Sequence, residues 1–504
     1  MDFILSVDLG TTAIKTSMFD DRGGLIAKAT REYELSTPST LAVELDAEIY
    51  WNAFKQTLAE VLAARPGCAP SIRALGISAQ GETLVCADHD GNALRPAIVW
   101  LDNRAQDEAE ELAREFGNDQ CYRVTGQVSF VPTWPAAKIL WLRRNEPDLF
   151  HRTDRFLLLE DYFIQRLTGK AVCEGSLVTS TTYWDFTKRA WWPEMLAYLG
   201  IGTHHLPELR ESGEPVGPVR EAIARELGLV PSTTVCTGAL DQAAGAIGVG
   251  NIRPGVFSEN TGAALAICAT VPQPVFDPSA QMPCHYHGVP GLYMEHTFTS
   301  GGMVLRWFRD EFCQPEIELA RRDGRDPYDL LSEMAAGVPA GSEGLLMLPH
   351  LQGAMAPEAN PKAKGVFYGF TLRHSRAHFT RSIMEAIACI VRRNIDVIEG
   401  LQIPVNEIRV LGGGSRSMVW NRIKCDVTGR PVVTTENEEA ACLGAAILAG
   451  RAVGMFGSIE EAVDRMVVIK ARLEPDPERH AIYDGVYARY RELYEDLGGM
   501  FERG

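Results

Sequence analysis

Residues 3–7 form a short apolar run that breaks on Asp8-Leu9-Gly10-Thr11-Thr12. Residues 13–19 then alternate, with Ile14, Thr16 and Met18 on one face, which predicts a half-buried strand. Asp20-Asp21-Arg22-Gly23-Gly24 is turn material, and residues 25–29 resume as a strand. The chain therefore opens as strand, tight polar loop, strand, turn, strand. Behind Asp46 the period changes. Trp51, Phe54, Leu58, Val61 and Leu62 recur at helical spacing until Arg65-Pro66-Gly67 stops them, so Asp46 reads as an N-cap. Residues 72–77 and 97–101 read as buried strands, and 106–116 and 138–144 as helices. A parallel or mixed sheet with covering helices is the economical α/β architecture.

Near mid-chain, residues 234–237 predict a strand, and Gly238-Ala239-Leu240-Asp241 turns into a small-residue helix over 242–248. Gly250, Pro254 and Gly255 then punctuate the chain and place a domain boundary near residue 250, giving domains 1–250 and 251–504. Past it the opening recurs: strand 255–259, tight turn Asn260-Thr261-Gly262, strand 263–269. The echo predicts two related domains. A helix over 381–399 and a strand over 407–411 running into Gly412-Gly413-Gly414 complete the second.

Composition narrows the function. The 504 residues are 46% hydrophobic and 23% charged, enough to bury large cores in two domains. A net charge of −17 gives no broad positive field, so neither nucleic acid nor an anionic membrane is the expected partner. No run of about 18 apolar residues predicts a membrane span, and the N-terminus lacks the basic, apolar pattern of a secretory signal. Eleven scattered cysteines fit a reducing, cytoplasmic setting.

Six segments carry candidate chemistry. Asp8-Leu9-Gly10-Thr11-Thr12 with Lys15 can hold phosphate, through loop N–H groups, two hydroxyls and one ammonium. Asp8, at a strand end, is costly there unless it serves a cation such as Mg²⁺, through water. Gly412-Gly413-Gly414-Ser415, between a strand and a helix, allows close approach of a phosphate or purine-ribose group. Asp241, at a helix start, is expected to stay ionised and to take a proton from a substrate hydroxyl; an ordinary N-cap is the alternative. Gln80-Gly81-Glu82 and Asp102-Asn103-Arg104 follow apolar strands and suit hydroxyl recognition, with solvated loops as the alternative. Cys284-His285-Tyr286-His287 has metal-ligand spacing but no second pair near it.

In this order the Asp8–Lys15 opening, Gly-Ala-Leu-Asp241-Gln-Ala-Ala-Gly-Ala-Ile-Gly and Gly-Gly-Gly-Ser-Arg-Ser-x-x-Trp-Asn resemble the FGGY carbohydrate kinases, as does the segment Pro132 to Leu142. The resemblance spans essentially the whole chain. It implies two actin-like, ribonuclease-H-like domains with an interdomain catalytic cleft for ATP and a sugar. By that resemblance Asp241 is the general base. Gln80, Gly81, Glu82, Asp102, Trp134 and Gln242 meet the sugar. Gly10, Thr11, Thr12 and Lys15 meet the γ-phosphate, and Asp8 meets Mg²⁺ through water. Thr261, Gly302, Arg306, Gly412, Gly413, Gly414 and Ser417 bind the rest of ATP.

The expected acceptor is a ketose, D-xylulose first. Other ketoses, glycerol, tetritols and autoinducer-2 stay open, the last because residues 296–312 resemble its kinases. Gln80-Gly81-Glu82-Thr83 stands where xylulose kinases show Gln-Met-His-Gly and glycerol kinases Gln-Arg-Glu-Thr, so Gly81 is expected to leave room for a bulkier substrate. Asn260 replaces a usual glycine, and Gly353-Ala354-Met355-Ala356-Pro357 departs from the xylulose-kinase pattern. An actin- or Hsp70-like ATPase without a sugar is the alternative class. Partners are small molecules, with a homodimer open.

Overall fold

A computed structural model describes residues 1–503. Two compact units divide the chain. The first comprises Met1–Ile252, Pro272–Met294 and Glu439–Val468; the second comprises Arg253–Val271, Glu295–Glu438 and the chain from Ile469 onward. No described helix is long and apolar enough to cross a membrane.

In the first unit, strands Pro215–Pro218, Thr234–Cys236, Ile72–Ala79, Phe3–Leu9, Ala13–Asp20 and Leu25–Glu32 lie side by side in that order. Phe3–Leu9 runs antiparallel to Ala13–Asp20 and parallel to Ile72–Ala79. It is covered on both faces, which is why it reads as an unbroken apolar run rather than an alternation. Asp46 caps the helix Ala47–Ala64 by accepting from the Glu48 N–H at 2.9 Å.

Helix Ala440–Ala452 returns to this unit and packs on the strands and on helix Asp241–Gly248. The approach is backbone to backbone. A Cβ on Gly444 would stand 1.8 Å from the Ala244 carbonyl oxygen, and one on Gly76 would stand 2.2 Å from that of Ala445.

A smaller sheet carries the loops that follow the central strands. It orders Glu44–Leu45, Ala97–Ile98, Leu84–Ala87 and Arg155–Leu158. Helices Gln106–Phe116 and Pro135–Asn145 close a core around Ile98, Leu112, Ile139, Leu140 and Phe156. Two expectations shift here. The strand expected over 97–101 ends at Ile98, because the chain beyond peels away to bring Asp102 to its donors. The helix expected over 138–144 starts at Pro135, whose fixed φ suits a first turn.

The second unit repeats the opening. Gly255–Thr261 is antiparallel to Ala264–Val271 and parallel to Val405–Leu411. Its turn closes through the Gly262 N–H to the Ala264 carbonyl at 2.9 Å, as Gly10 closes on Ala13 at 3.1 Å in the first. Val405–Leu411 delivers Gly412 to the start of helix Met418–Thr428, and the long helix Arg376–Gly400 supports both.

Candidate active site

Three strand ends of the first unit bring acidic groups together. Asp8 lies opposite Lys15 and Ser78 in register, and Leu240, just before Asp241, pairs with Ala79. The Ser78 hydroxyl donates to Asp8 at 2.9 Å. Burial pushes the Asp8 pKa up, only partly opposed by Lys15 and Ser78. Asp241 opens its helix. Burial, then the charges of Asp8 and Glu82, push it up to about 8 against the Gln242 contacts that favour its charge. The expectation that the helix N-terminus keeps Asp241 ionised is therefore corrected. Partial burial and two nearby carboxylates outweigh the dipole of an eight-residue helix.

The Gly10 turn is held from outside. Its carbonyl accepts from the Tyr33 hydroxyl and, at 3.1 Å, from Gln80 Nε2. Thr11 Oγ1 accepts from the Trp100 indole at 2.8 Å, which leaves the hydroxyl proton free to donate outward. Thr12 is exposed. Lys15 does not stand alone beside the loop: Glu439 takes it at 3.3 Å and Lys28 at 2.9 Å. Burial works against the Glu439 charge, but Lys15 and Lys28 outweigh it and hold the pKa low. Sequence reasoning missed Glu439, because it lies near the opposite end of the chain from Lys15.

The expected acceptor residues divide. Gln80 is buried and also reaches the Tyr50 hydroxyl at 3.3 Å. Glu82 sits at φ 55°, an uncommon place for a side-chain-bearing residue. Burial raises its pKa, opposed by Ser180 and Lys138. Gly81 is corrected: the space above it is not vacant, since a Cβ there would meet Leu240 Cδ1 at 3.0 Å and Ser180 Oγ at 3.5 Å.

Asp102 is corrected as well. It is fully buried and accepts from the Val43 N–H at 2.6 Å, the Arg104 N–H at 3.0 Å and the Arg104 guanidinium at 2.8–3.0 Å. With its oxygens so engaged it pins a loop and has no acceptor capacity to spare for a sugar. Trp134 directs its indole N–H to the Ser129 carbonyl at 3.0 Å and precedes the helix that carries Lys138.

Lys138 is the second residue that sequence reasoning did not single out. It is 0% exposed and donates to the carbonyls of Glu82 at 2.9 Å and Val99 at 3.0 Å. Burial pulls its pKa down to about 7 despite the neighbouring Glu82 and Asp102. A lone lysine inside the apolar stretch Pro135-Ala-Ala-Lys-Ile-Leu was the available signal.

The second unit contains a cavity of about 360 Å³ lined, among others, by Gly302, Arg306, Gly413, Gly414, Ser417 and Trp420. Its size and largely apolar walls suit a purine and ribose. Ser417 caps helix Met418–Thr428 and bonds Ser332 at 2.9 Å. Gly412 sits at φ 76°, where a Cβ would stand 2.3 Å from Asn260 Oδ1, so Asn260 fills the space that Gly412 leaves. Thr261 also lines the cavity, but its hydroxyl is corrected as a phosphate donor. It gives its proton to Glu259 and accepts from Lys424 at 2.9 Å, inside a fully buried Lys424–Glu259 pair of 2.7 Å. Of the paired histidine motif, His287 spends both ring nitrogens on the backbone of Asn251 and Val289.

Comparison with known proteins gives this geometry its context. The profile of the FGGY family of carbohydrate kinases, N-terminal domain, matches residues 3–248, and that of the C-terminal domain matches 261–453. The chain is 30% identical to a gluconokinase of Bacillus subtilis over 463 residues, 92% of this chain and 90% of that one. It is 28% identical to an autoinducer-2 kinase of Yersinia pseudotuberculosis, covering 100% of this chain and 96% of that one. Its structure is similar to that of a xylulose kinase from Rhodospirillum rubrum, with a TM-score of 0.89, 28% identity, and 99% and 100% of the two chains covered.

Proposed function

The chain belongs to the FGGY family of carbohydrate kinases, and on that premise we propose that it moves the γ-phosphoryl group of ATP to a hydroxyl of an uncharged ketose, D-xylulose first. The charge of the acceptor site carries this reading. Asp8 and Glu82 both raise the pKa of Asp241, and the one lysine beside Glu82, Lys138, is wholly buried on backbone carbonyls. A polyhydroxy acceptor without charge offers donors to those carboxylates, whereas an aldonate adds a further anion at a cost.

Phosphoryl transfer asks mainly for positioning and charge compensation. Asp241, once ionised, takes the proton of the attacking hydroxyl, and Gln242 beside it orients the acceptor. Glu82 and Gln80 accept from and donate to neighbouring hydroxyls. Thr11, Thr12 and the backbone of the Gly10 turn hold the γ-phosphoryl oxygens, and Lys15 lowers the local negative charge. The cavity over Gly413 and Gly414 takes the adenosine. Asp8 and Asp241 fit a hydrated Mg²⁺, since burial raises the pKa of both carboxylates and a cation there would favour their charged forms. The ion would neutralise phosphate charge when bound. A cytoplasmic setting follows from such substrates.

The test is ADP release against D-xylulose, D-ribulose, glycerol, D-gluconate and an autoinducer-2 analogue. D-xylulose is expected to give the highest kcat/KM, and the charge of gluconate should place it last by a wide margin. Gluconate as the preferred substrate would overturn the charge reading. Asp241→Asn is expected to lower kcat by about 10²–10⁴ while ATP still binds; an unchanged kcat would remove Asp241 from the mechanism.

A further inference from the structure

The residues just before Asp241 are gripped from behind by two fully buried carboxylates. Glu160 is 0% exposed, and its Oε1 accepts from the Gly238 N–H at 2.7 Å. Glu174, also 0% exposed, accepts from the N–H of Ser176 at 2.7 Å, the N–H of Leu177 at 2.6 Å, the Ser176 hydroxyl at 2.9 Å and the Ser212 hydroxyl. The Ser176 oxygen in turn accepts from the Leu240 N–H at 3.0 Å. Two inward N–H groups are thus anchored, that of Gly238 on Glu160 and that of Leu240 on the Ser176 hydroxyl, which Glu174 holds in turn.

On its other side the same segment is pressed on the central sheet. Ala239 and Leu240 pair with Ser78 and Ala79, and a Cβ on Gly238 would stand 1.5 Å from the Ile77 carbonyl oxygen. The backbone leading into Asp241 is therefore fixed from both faces.

We propose that Glu160 and the Glu174–Ser176 relay are positioning residues that set the backbone carrying Asp241, so that its carboxylate meets the acceptor hydroxyl at the reacting distance. This rests on Asp241 being the general base. Glu160 acts here as an acceptor. Its second oxygen, Oε2, has no hydrogen-bond partner in the protein, and burial and the nearby Glu174 raise its pKa well above the usual carboxylate range. A glutamine in its place supplies the same acceptor oxygen to Gly238. Ser176 cannot be replaced in that way by alanine, which strands the Leu240 N–H.

A displacement of about 1 Å at a reacting group costs on the order of 100-fold in rate. Glu160→Leu and Ser176→Ala are therefore expected to lower kcat roughly 10- to 100-fold, with the KM for ATP changed less than about threefold, and Glu160→Gln to restore most of the loss. In an Asp241→Asn background neither substitution should lower kcat further, because no base remains to misplace. Thermal melts confirm that each variant is folded, and Ser176→Ala, the smaller change, keeps the test open if Glu160→Leu does not fold. Wild-type kcat in folded Ser176→Ala and Glu160→Leu, with Asp241→Asn inactive, would overturn the positioning role alone. Full activity of Asp241→Asn would overturn the base assignment instead. Losses that add fully to those of Asp241→Asn would show a general structural effect and also defeat the proposal.

Discussion

The pKa of Asp241 has consequences for both rate and stability. An ordinary aspartate ionises near 3.9, whereas Asp241 in the folded chain is pushed up to about 8. The folded state therefore holds a proton that the unfolded state has lost, and stability falls as pH rises from about 4 to about 8. Asp241→Asn removes the penalty. It should raise the melting temperature at pH 8 by roughly 2–8 °C, corresponding to about 1–2 kcal/mol after allowing for partial exposure. The gap should close toward pH 4, and melts across that range check it. Only the ionised form can act as a base, so the acid limb of kcat/KM for the acceptor should sit near 8 at low Mg²⁺. It should move to lower pH as Mg²⁺ neutralises Asp8; an immobile limb would sever the link between the two carboxylates.

Glu82 and Asp102 separate at the same scale. Glu82→Ala should raise the acceptor KM and flatten the preference among sugars, since a site built around an acceptor loses about 1–3 kcal/mol of discrimination with it. Asp102→Ala should leave the rank order of sugars intact and destabilise the fold by about 3 kcal/mol. It strands Arg104, 11% exposed, with Glu44 as its remaining partner. A sugar panel and a denaturant melt on the two variants distinguish recognition from scaffolding.

Among elements, the loops around the site are set by distant helices. Lys138 ties helix Pro135–Asn145 to the carbonyls of Glu82 and Val99 and so holds the turn on which Glu82 takes its positive φ. Lys138→Met should raise the acceptor KM more than the ATP KM, because the turn relaxes while the second unit is untouched. In that unit the pair Lys424–Glu259 joins helix Met418–Thr428 to strand Gly255–Thr261. Removing one partner leaves a charge without compensation. Lys424→Met should cost about 3–5 kcal/mol of stability and weaken ATP binding measured by calorimetry, whereas acceptor binding stays near wild type. Equal losses for both ligands would mean that the pair supports the fold at large.

For the whole molecule, eleven cysteines are all buried and none forms a disulfide. A thiol reagent should label almost none in the native chain and all of them in denaturant, and a reductant should leave the melting temperature unchanged. Rapid native labelling would contradict the burial.

What the sequence determined by itself was local. The strand–turn–strand opening, its echo after residue 250 and the glycine run after strand Val405–Leu411 all depend on short-range periodicity and on glycine, which neighbours in the chain suffice to specify. The place of Asp241 at a helix start was legible from the run of small residues that follows it. Tertiary structure alone decided which polar groups remain available. Asp102 and the Thr261 hydroxyl are consumed by buried partners, and Lys15 shares Glu439 with Lys28. Folding likewise gave Glu160, Glu174 and Lys138 their places beside the site. Sequence spacing carries no record of such pairings, because hydrogen-bonding capacity and charge are settled by whatever the fold brings within about 3 Å.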